Sequence, residues 1–290
     1  MNIKLENFSK GLSGCTFSIS DKGTVTKYSS GKEYNDRLLK QSKKQEYFRS
    51  LNIPNIKSPR IFISDSKNPI YSFEMEYISG NNYLDFLEYS SLEYVNFFLD
   101  SIFSYLKFLD KQGSGFYSKE EFIFRCKEKL YSIKKYVSDP EFFNYVIEKI
   151  GKIGNPKIGK SFCHGDLTLS NILFSVDSLC FLDFLDSYIE SWVIDLIKIK
   201  QDLFYHWNIK KDCDTLNLRS VQISYFLWEK IEDRYKDLIN SEGFKILEVL
   251  NFLRIYPYAK TEKEIILLEN TIKKTPIYEE FNNPYGGKIV

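Results

Sequence analysis

The spacing of hydrophobic residues changes near residue 80, and this change divides the chain into two regions. In the first region, short segments of alternating apolar and polar residues are separated by Gly, Pro, Asp and Asn, as is typical of strands joined by tight turns. In the second region, apolar residues recur every three to four positions, which predicts amphipathic helices. The predicted helices are 33–51 in the first region and 84–89, 92–109, 120–136, 141–150, 192–205, 215–239 and 243–256 in the second.

This pattern predicts an α+β protein with two lobes. Residues 1–78 are expected to form a small antiparallel β-sheet with one helix, and residues 79–290 a larger, mainly α-helical lobe. A stretch rich in Gly and Pro, 151–159, separates the early helices from a short strand region. The tail 278–290, which contains Asn, Pro and Gly clusters, is expected to be irregular.

Composition and charge exclude several classes of protein. The 290 residues are 43% hydrophobic, enough for a sizeable core, and the net charge is +1 without a basic tract, so we expect no nucleic-acid partner. The most apolar stretch, 94–109, is interrupted by polar residues, and the N-terminus lacks the apolar core of a signal peptide. The five cysteines show no metal-binding or disulfide spacing. We therefore expect a cytoplasmic protein that does not span a membrane.

The strongest chemical signal is a polar loop followed by an isolated carboxylate. The segment 162–171 has the sequence Phe-Cys-His-Gly-Asp-Leu-Thr-Leu-Ser-Asn, which places His164, Asp166 and Asn171 in a His-x-Asp-x-x-x-x-Asn pattern. Asp183 follows twelve residues after Asn171, within a hydrophobic strand. A base, an amide and a metal-binding carboxylate in this order are typical of a phosphoryl-transfer site.

Each of these residues would have a chemical role. Asp166 would accept a hydrogen bond, and finally the proton, from an incoming hydroxyl group. Segments 172–174 and 179–182 are expected to pair as a hairpin that brings Asn171 and Asp183 to one end, where both can hold Mg²⁺ between phosphate oxygens. Taken singly, a His-Gly-Asp turn and a buried strand carboxylate also have structural explanations. Their order and their hydrophobic flanks favour the catalytic interpretation.

The loop 164–171 and the segment Leu182-Asp183-Phe184 together resemble the aminoglycoside phosphotransferase and choline kinase family. Members of this family are small-molecule kinases with a two-lobed protein-kinase-like fold. Protein kinases usually have Arg in place of Gly165 and Gly in place of Leu185, so this chain resembles the small-molecule branch. The resemblance implies ATP and Mg²⁺ as cofactors, and it implies that Asp195 braces the catalytic loop.

Nucleotide-binding residues are assigned from the order of the elements. Gly11 and Gly14 flank a short polar turn before a strand, and are expected to lie over the ATP phosphates. Lys27, in the strand that follows, is expected to bind the α and β phosphates, as the strand-three lysine does in kinases. Glu76 and Ile78 lie in Glu-Tyr-Ile-Ser-Gly, which resembles the hinge of the family, where main-chain groups bind adenine.

Two further residues are expected to support the site. A helix acid should pair with Lys27, and Glu46 fits best because the residues after it lead into a segment that contains proline. Glu33 and Asp36 are the alternatives. His164 is expected to support the catalytic loop by hydrogen bonding rather than to act as a base.

The resemblance implies a small acceptor with a hydroxyl group, since the family phosphorylates aminoglycosides, choline, ethanolamine, other amino-alcohols, sugars and nucleosides. Asp186, Glu190 and Trp192 follow the metal strand, and either contact the acceptor or brace the site. Trp207 and Trp228 are candidates for an aromatic cage around a quaternary amine.

Three functions are compatible with the motif. The first is an ATP-dependent small-molecule kinase, and every catalytic position that it requires is filled. The second is a catalytically inactive nucleotide-binding pseudokinase. The third is a protein kinase, which the absence of Asp-Phe-Gly and Ala-Pro-Glu segments after Asp183 disfavours.

Overall fold

The computed structural model describes residues 9–10, 15–21, 23–66, 69–213, 215 and 217–283. The chain divides into two compact units. The first unit contains Met1–Tyr105 and His164–Asp186, and the second contains Leu106–Cys163 and Ser187–Val290. The loop and the carboxylate singled out above therefore belong to the same unit as the N-terminal strands.

Two sheets form the first unit. The larger sheet is antiparallel and five-stranded, with the strand order β1-β2-β3-β6-β5. The smaller sheet has the order β4-β8-β7. The strands are β1 (Ser9–Lys10), β2 (Cys15–Ile19), β3 (Thr24–Ser29), β4 (Ile56–Lys57), β5 (Ile61–Asp65), β6 (Ser72–Glu76), β7 (Ile172–Ser175) and β8 (Ser178–Phe181).

Helix α1 (Asn35–Ser50) packs on the larger sheet through an unusually polar face. Its buried side chains are Leu38, Gln41, Ser42, Gln45 and Phe48. Two of the three polar ones are held by hydrogen bonds: the hydroxyls of Ser42 and Tyr71 are 2.7 Å apart, and Gln45 Nε2 donates to the Pro59 carbonyl at 2.8 Å. Buried polar groups with partners cost little, so this helix packs without a continuous apolar stripe.

The smaller sheet contains the predicted hairpin. β7 and β8 pair antiparallel through a two-residue connection, Val176 and Asp177. β4 adds to β8 in parallel, and the Leu179 amide donates to the Asn55 carbonyl at 2.9 Å. Phe48 of α1 packs against the hairpin and the residues that follow it, with ring centroids 5.7 Å from Phe181 and 4.8 Å from Phe184. The end of the hairpin is thereby attached to α1.

The remaining elements are helical. α2 (Tyr83–Tyr89) stacks Phe86 on Phe174 of β7, with ring centroids 4.2 Å apart. The other helices are α3 (Leu92–Lys111), α4 (Lys119–Ile133), α5 (Pro140–Lys152), α6 (Trp192–Leu203), α7 (Trp207–Asp212), α8 (Leu218–Ile239), α9 (Glu242–Leu253), α10 (Glu262–Ile272) and α11 (Pro276–Asn282). α6 is buried along its whole length, and it contacts α7, α8 and α9.

The predicted fold class is confirmed, with an antiparallel N-terminal sheet, one long helix beside it and a mainly helical remainder. The expectation of an irregular tail from residue 278 is wrong for 278–282, which lie in α11. Pro276 occupies the first turn of this helix, and Phe281 packs on Phe142 with ring centroids 5.4 Å apart. Helices α7 and α10 were not predicted.

Contacts group the chain differently from the predicted lobe boundary at residue 78. α2, most of α3 and the whole segment 164–186 cluster with the N-terminal sheet. Among the described residues, no helix combines the length and the hydrophobicity that crossing a lipid bilayer requires.

Candidate functional site

Asp166 and Asn171 are joined by hydrogen bonds within their loop. Asn171 Nδ2 donates to the Asp166 main-chain carbonyl at 2.7 Å and to the Asp166 carboxylate at 3.3 Å. A 3₁₀ turn over Leu169–Asn171 closes the loop, and the Thr168 carbonyl accepts from the Asn171 amide at 3.0 Å. Because the nitrogen end of the Asn171 amide faces Asp166, its oxygen end is left to bind another group.

Asp183 lies at the same end of the hairpin as Asn171. The Leu182 amide donates to the Asn171 carbonyl at 2.9 Å, so the hairpin pairing continues to the residue before Asp183. Asp183 itself has a φ of +61°, in the left-handed region. This conformation is uncommon outside glycine, although Asp tolerates it better than most residues, and it is concentrated at functional sites. It turns the chain sharply as it leaves the strand.

Lys27 of β3 forms an ion pair with Asp183. The two residues are 156 positions apart in sequence, and the Lys27 side chain is only 11% exposed. A lysine on the third strand and a carboxylate after the hairpin therefore meet, as a site for phosphate and metal requires.

His164 is buried beneath this site. Its Nε2 donates to the Leu182 carbonyl at 2.7 Å, and its Nδ1 accepts from the Asp166 amide at 3.2 Å. Its ring lies 4.3 Å from that of Phe184, between centroids. Both ring nitrogens are thus used by the neutral imidazole, and burial lowers the pKa of His164 to about 4. A proton on Nδ1 would oppose the Asp166 amide.

The low pKa of His164 predicts a loss of stability in mild acid. Between pH 6.5 and about 4, the unfolded chain binds a proton at this residue that the folded protein does not, so the free energy of unfolding falls as the pH falls. The expected contribution is about 3 kcal/mol over this interval. Urea unfolding of the wild type and of His164→Gln across the interval tests it, and parallel pH dependences would contradict it.

Gly165 permits a close approach between the catalytic loop and the segment after Asp183. Its φ is +87°, and a Cβ at this position would lie 2.0 Å from the Leu185 carbonyl oxygen. The Leu185 amide donates to the His164 carbonyl at 2.9 Å, so these two backbones are bonded side by side. A side chain at residue 165 would force them apart.

Gly165→Ala should therefore destabilise the protein more than Gly23→Ala does. Gly23 also has a positive φ, of +72°, but a Cβ there meets no atom within 4 Å. The matched control thus carries only the backbone cost, about 1–2 kcal/mol, whereas Gly165→Ala adds the steric clash with Leu185. Urea unfolding of both variants measures the difference, and equal losses would show that the close approach is unimportant.

The predicted pairing of Lys27 with Glu46 is not formed. Glu46 lies on the exposed face of α1, next to the buried Gln45, and Lys27 pairs with Asp183 instead. The alternatives Glu33 and Asp36 are also exposed. Glu46 was selected from the proline-containing segment that follows it, a criterion that does not determine which face of α1 meets the sheet, and the helix buries glutamine and serine there.

Two lysines that the sequence analysis did not select approach the segment after Asp183 from α1. Lys44 Nζ donates to the Leu185 carbonyl at 2.7 Å, and Lys40 Nζ is 3.5 Å from an Asp186 carboxylate oxygen. Their spacing of four residues places both on one face of a helix. Lys43, the other lysine of α1, is three residues from Lys40, so spacing alone does not select Lys40 and Lys44.

In the predicted hinge segment, the Glu76 side chain and the Tyr77 main chain are already hydrogen-bonded. The Glu76 carboxylate accepts from the Arg60 amide at 3.1 Å, and the Tyr77 amide donates to the Gly23 carbonyl at 3.2 Å. No backbone hydrogen bond from the Ile78 amide is found within the described ranges, so this group is compatible with the predicted role. The predicted phosphate-loop residues Gly11 and Gly14 lie outside the described residues.

The donor set suits magnesium. The carboxylate of Asp183 and the amide oxygen of Asn171 are oxygen ligands, and Mg²⁺ is usually held by one or two carboxylates together with substrate phosphates and water. Within the part of the chain that is described, no group of three His, Cys, Asp or Glu residues could hold a metal alone.

Other predicted residues belong to the second unit. Asp195 is fully buried on α6. Trp192 Nε1 donates to the Asp110 carboxylate at 3.0 Å, and the Glu190 carboxylate accepts from the Ser187 amide at 2.8 Å. Glu190 and Trp192 thus have structural partners within this unit.

An aromatic cage made by Trp207 and Trp228 is not supported by the structure. Both residues are buried, at 5% and 2% exposure. The Trp228 ring is already occupied by a cation from the chain itself, because Lys200 Nζ lies 5.4 Å from its centroid and forms an ion pair with Glu248 at 2.6 Å.

Solved structures share this fold over most of the chain. The streptomycin–ATP ternary complex of APH(2")-IIa is 16% identical, with a TM-score of 0.54 over 93% of this chain and 91% of the other. A thermostable variant of the aminoglycoside phosphotransferase APH(4)-Ia, bound to AMP-PNP and hygromycin B, is 11% identical, with a TM-score of 0.61 over 92% of each chain. The aminoglycoside-3'-phosphotransferase of type VIII is 11% identical, with a TM-score of 0.54 over 85% of this chain and 91% of the other.

These similarities confirm the predicted fold: the chain has the protein-kinase-like fold seen in aminoglycoside phosphotransferases. No family model matches the sequence, and no curated protein matches it either.

Proposed function

We propose that this protein is an ATP- and magnesium-dependent kinase that transfers the γ-phosphoryl group to a hydroxyl of a small acceptor molecule. The observation that carries the proposal is the contact between Lys27 and Asp183, formed at the end of the hairpin where Asn171 also lies. An ion pair that only stabilised the fold would not require a base and an amide in the adjoining loop. Here the carboxylate of the pair follows a base, Asp166, and an amide, Asn171, along the chain in the order that phosphoryl transfer requires.

The proposed roles follow from the geometry. Asp166 is half-buried and holds Asn171 by two hydrogen bonds, so it can orient the acceptor hydroxyl and take its proton. Lys27 would exchange Asp183 for the α and β phosphates. Asn171 and Asp183 would hold Mg²⁺, which supplies charge neutralisation on the phosphates. Main-chain groups around Glu76 and Ile78 would bind the base of the nucleotide.

A small acceptor is favoured over a protein substrate. Only a short segment separates Phe184 from the first residue of α6, Trp192, so an activation loop of the protein-kinase type is not accommodated. Structures of the same fold were solved with streptomycin or hygromycin B bound. We propose an aminoglycoside, an amino-alcohol such as choline or ethanolamine, or a sugar as the acceptor, and the cytoplasm, where ATP is supplied, as the place of reaction.

ADP release from Mg-ATP tests the proposal. The purified protein would be assayed against a panel of aminoglycosides, choline, ethanolamine, other amino-alcohols and sugars, with Asp166→Asn as the inactive control. Stimulation by one class, absent in the variant, is expected. A wild-type protein that binds no nucleotide at any magnesium concentration would contradict the proposal, because nucleotide binding precedes the choice of acceptor.

A further inference from the structure

Helix α1 directs two cations toward the segment that follows Asp183. Lys44 Nζ donates to the Leu185 carbonyl at 2.7 Å, and Lys40 Nζ is 3.5 Å from an Asp186 carboxylate oxygen. The resemblance to kinases leads one to expect an acid on this helix. The acid would hold Lys27, but Lys27 is held by Asp183. Helix α1 therefore interacts with the site in a different way.

The backbone around Asp183 is bonded on both sides of the residue. On the catalytic-loop side, the Leu182 carbonyl accepts from the His164 ring at 2.7 Å, and the Leu185 amide donates to the His164 carbonyl at 2.9 Å. On the helix side, the Leu185 carbonyl accepts from Lys44. Asp183 lies between these bonds in a left-handed conformation, with a φ of +61°. The position of its carboxylate therefore depends on residues that fix Leu182 and Leu185.

Of the two lysines, Lys44 constrains the position of the segment after Asp183 more strongly. Lys40 and Asp186 have side chains that are 66% and 53% exposed, and an ion pair so exposed to solvent contributes little. Lys44 is half-buried, and its bond is charge-assisted and directed at a backbone carbonyl. Phe48, one turn further along the same helix face, packs on Phe184 and keeps α1 against this segment.

We propose that Lys44 is a positioning residue for magnesium binding, which acts by fixing the Leu185 carbonyl and thereby the carboxylate of Asp183. This inference rests on the proposed function of the site. A cation serves here better than an acid would, since a carboxylate on α1 would compete with Asp183 for Lys27. According to this proposal, Lys44 controls how strongly nucleotide binding depends on magnesium. It does not control the nucleotide affinity that is measured without magnesium.

The test compares Lys44→Met with Lys43→Met. The first variant removes the donor and keeps most of the apolar stem, and the second removes an adjacent lysine from the exposed face of the same helix. Displacement of a fluorescent ATP analogue would be measured with magnesium titrated from zero. For Lys44→Met, the Mg²⁺ concentration that gives half of the increase in nucleotide affinity should be about tenfold higher than for the wild type. A change of this size is typical of losing an outer-shell partner of a metal site. Nucleotide affinity in EDTA should be unchanged, and Lys44→Arg should recover most of the loss.

Two outcomes would overturn the inference. A magnesium dependence of Lys44→Met equal to that of Lys43→Met would show that the bond to Leu185 does not position Asp183. Equal weakening with and without magnesium would show a general structural role. If Lys44→Met does not fold, Lys44→Gln, which keeps a shorter N–H donor, is measured in the same way. A wild-type protein without magnesium-dependent nucleotide binding would instead contradict the proposed function, and this result is visible before any variant is made.

Discussion

Asp166→Asn should lower the rate of phosphoryl transfer by about 10²–10⁴-fold, the contribution typical of a general base. The substitution keeps the shape of the side chain, and the bond from Asn171 to the main-chain carbonyl of residue 166, at 2.7 Å, does not involve the carboxylate. The loop should therefore retain its conformation and nucleotide affinity should be almost unchanged. Steady-state kinetics with the acceptor found in the panel, together with nucleotide displacement, measure the two properties separately.

Asp177→Asn is the matched control for this experiment. Asp177 is an exposed carboxylate in the connection between β7 and β8, so its substitution removes one negative charge, as at residue 166, but outside the catalytic loop. Its turnover should equal that of the wild type. If Asp166→Asn also turned over at the wild-type rate, the assignment of Asp166 as the base would be wrong.

Asp183→Asn should lower the rate of transfer by about 10²–10³-fold, corresponding to several kcal/mol of lost metal-dependent charge stabilisation. Asn accepts the left-handed conformation as readily as Asp does, so the backbone at residue 183, with its φ of +61°, should be preserved. The variant removes the negative charge that is proposed to bind the metal, and it also removes the counter-ion of Lys27.

The magnesium dependence distinguishes the two carboxylates. Asp183→Asn should raise the Mg²⁺ concentration that gives half-maximal nucleotide binding, whereas Asp166→Asn should leave it unchanged, since only the first residue is a proposed ligand. Titrations of magnesium against a fluorescent ATP analogue provide the comparison. Identical curves for Asp183→Asn and the wild type would remove Asp183 from the proposed metal site.

The local parts of the site could be predicted from the sequence. Asp166 and Asn171 lie in one short loop, and Asp183 is separated from them by a hairpin whose strands are runs of hydrophobic residues joined by a short polar turn. Chain connectivity alone therefore brings these three residues together. The contact of Lys27 with Asp183 could not be obtained in this way, because it depends on how β3 packs relative to a segment 156 residues away.

The register of α1 is the clearest failure, and it has a physical cause. Sequence patterns assign the inward face of a helix from its apolar residues, but three of the five buried side chains of α1 are polar: Gln41, Ser42 and Gln45. The apolar residues therefore did not define the inward face of the helix, and Glu46, which was selected from the proline-containing segment that follows it, lies outside that face, while Lys44 was passed over. Hydrogen bonds to Tyr71 and Pro59 make the burial of Ser42 and Gln45 possible, and those partners are not visible in a helical pattern.

Two short elements were not predicted, because contacts between residues distant in sequence determine them. β4 has only two residues, and it pairs in parallel with β8, more than a hundred positions later. α11 begins with a proline and has only seven residues, but Ile277 is buried and Phe281 packs on Phe142. In both cases tertiary contacts, and not local propensity, determine the structure.

Transfer of label from γ-phosphate-labelled ATP to the acceptor in a single turnover tests the central claim most directly. The wild type and Asp177→Asn should both yield a labelled phosphate ester of the acceptor, and Asp166→Asn and Asp183→Asn should yield almost none within the same time. Label that appears on the acceptor equally with all four proteins would contradict the assignment of the site. Label that appears only as inorganic phosphate, whichever acceptor is added, would contradict the assignment of the protein as a small-molecule kinase.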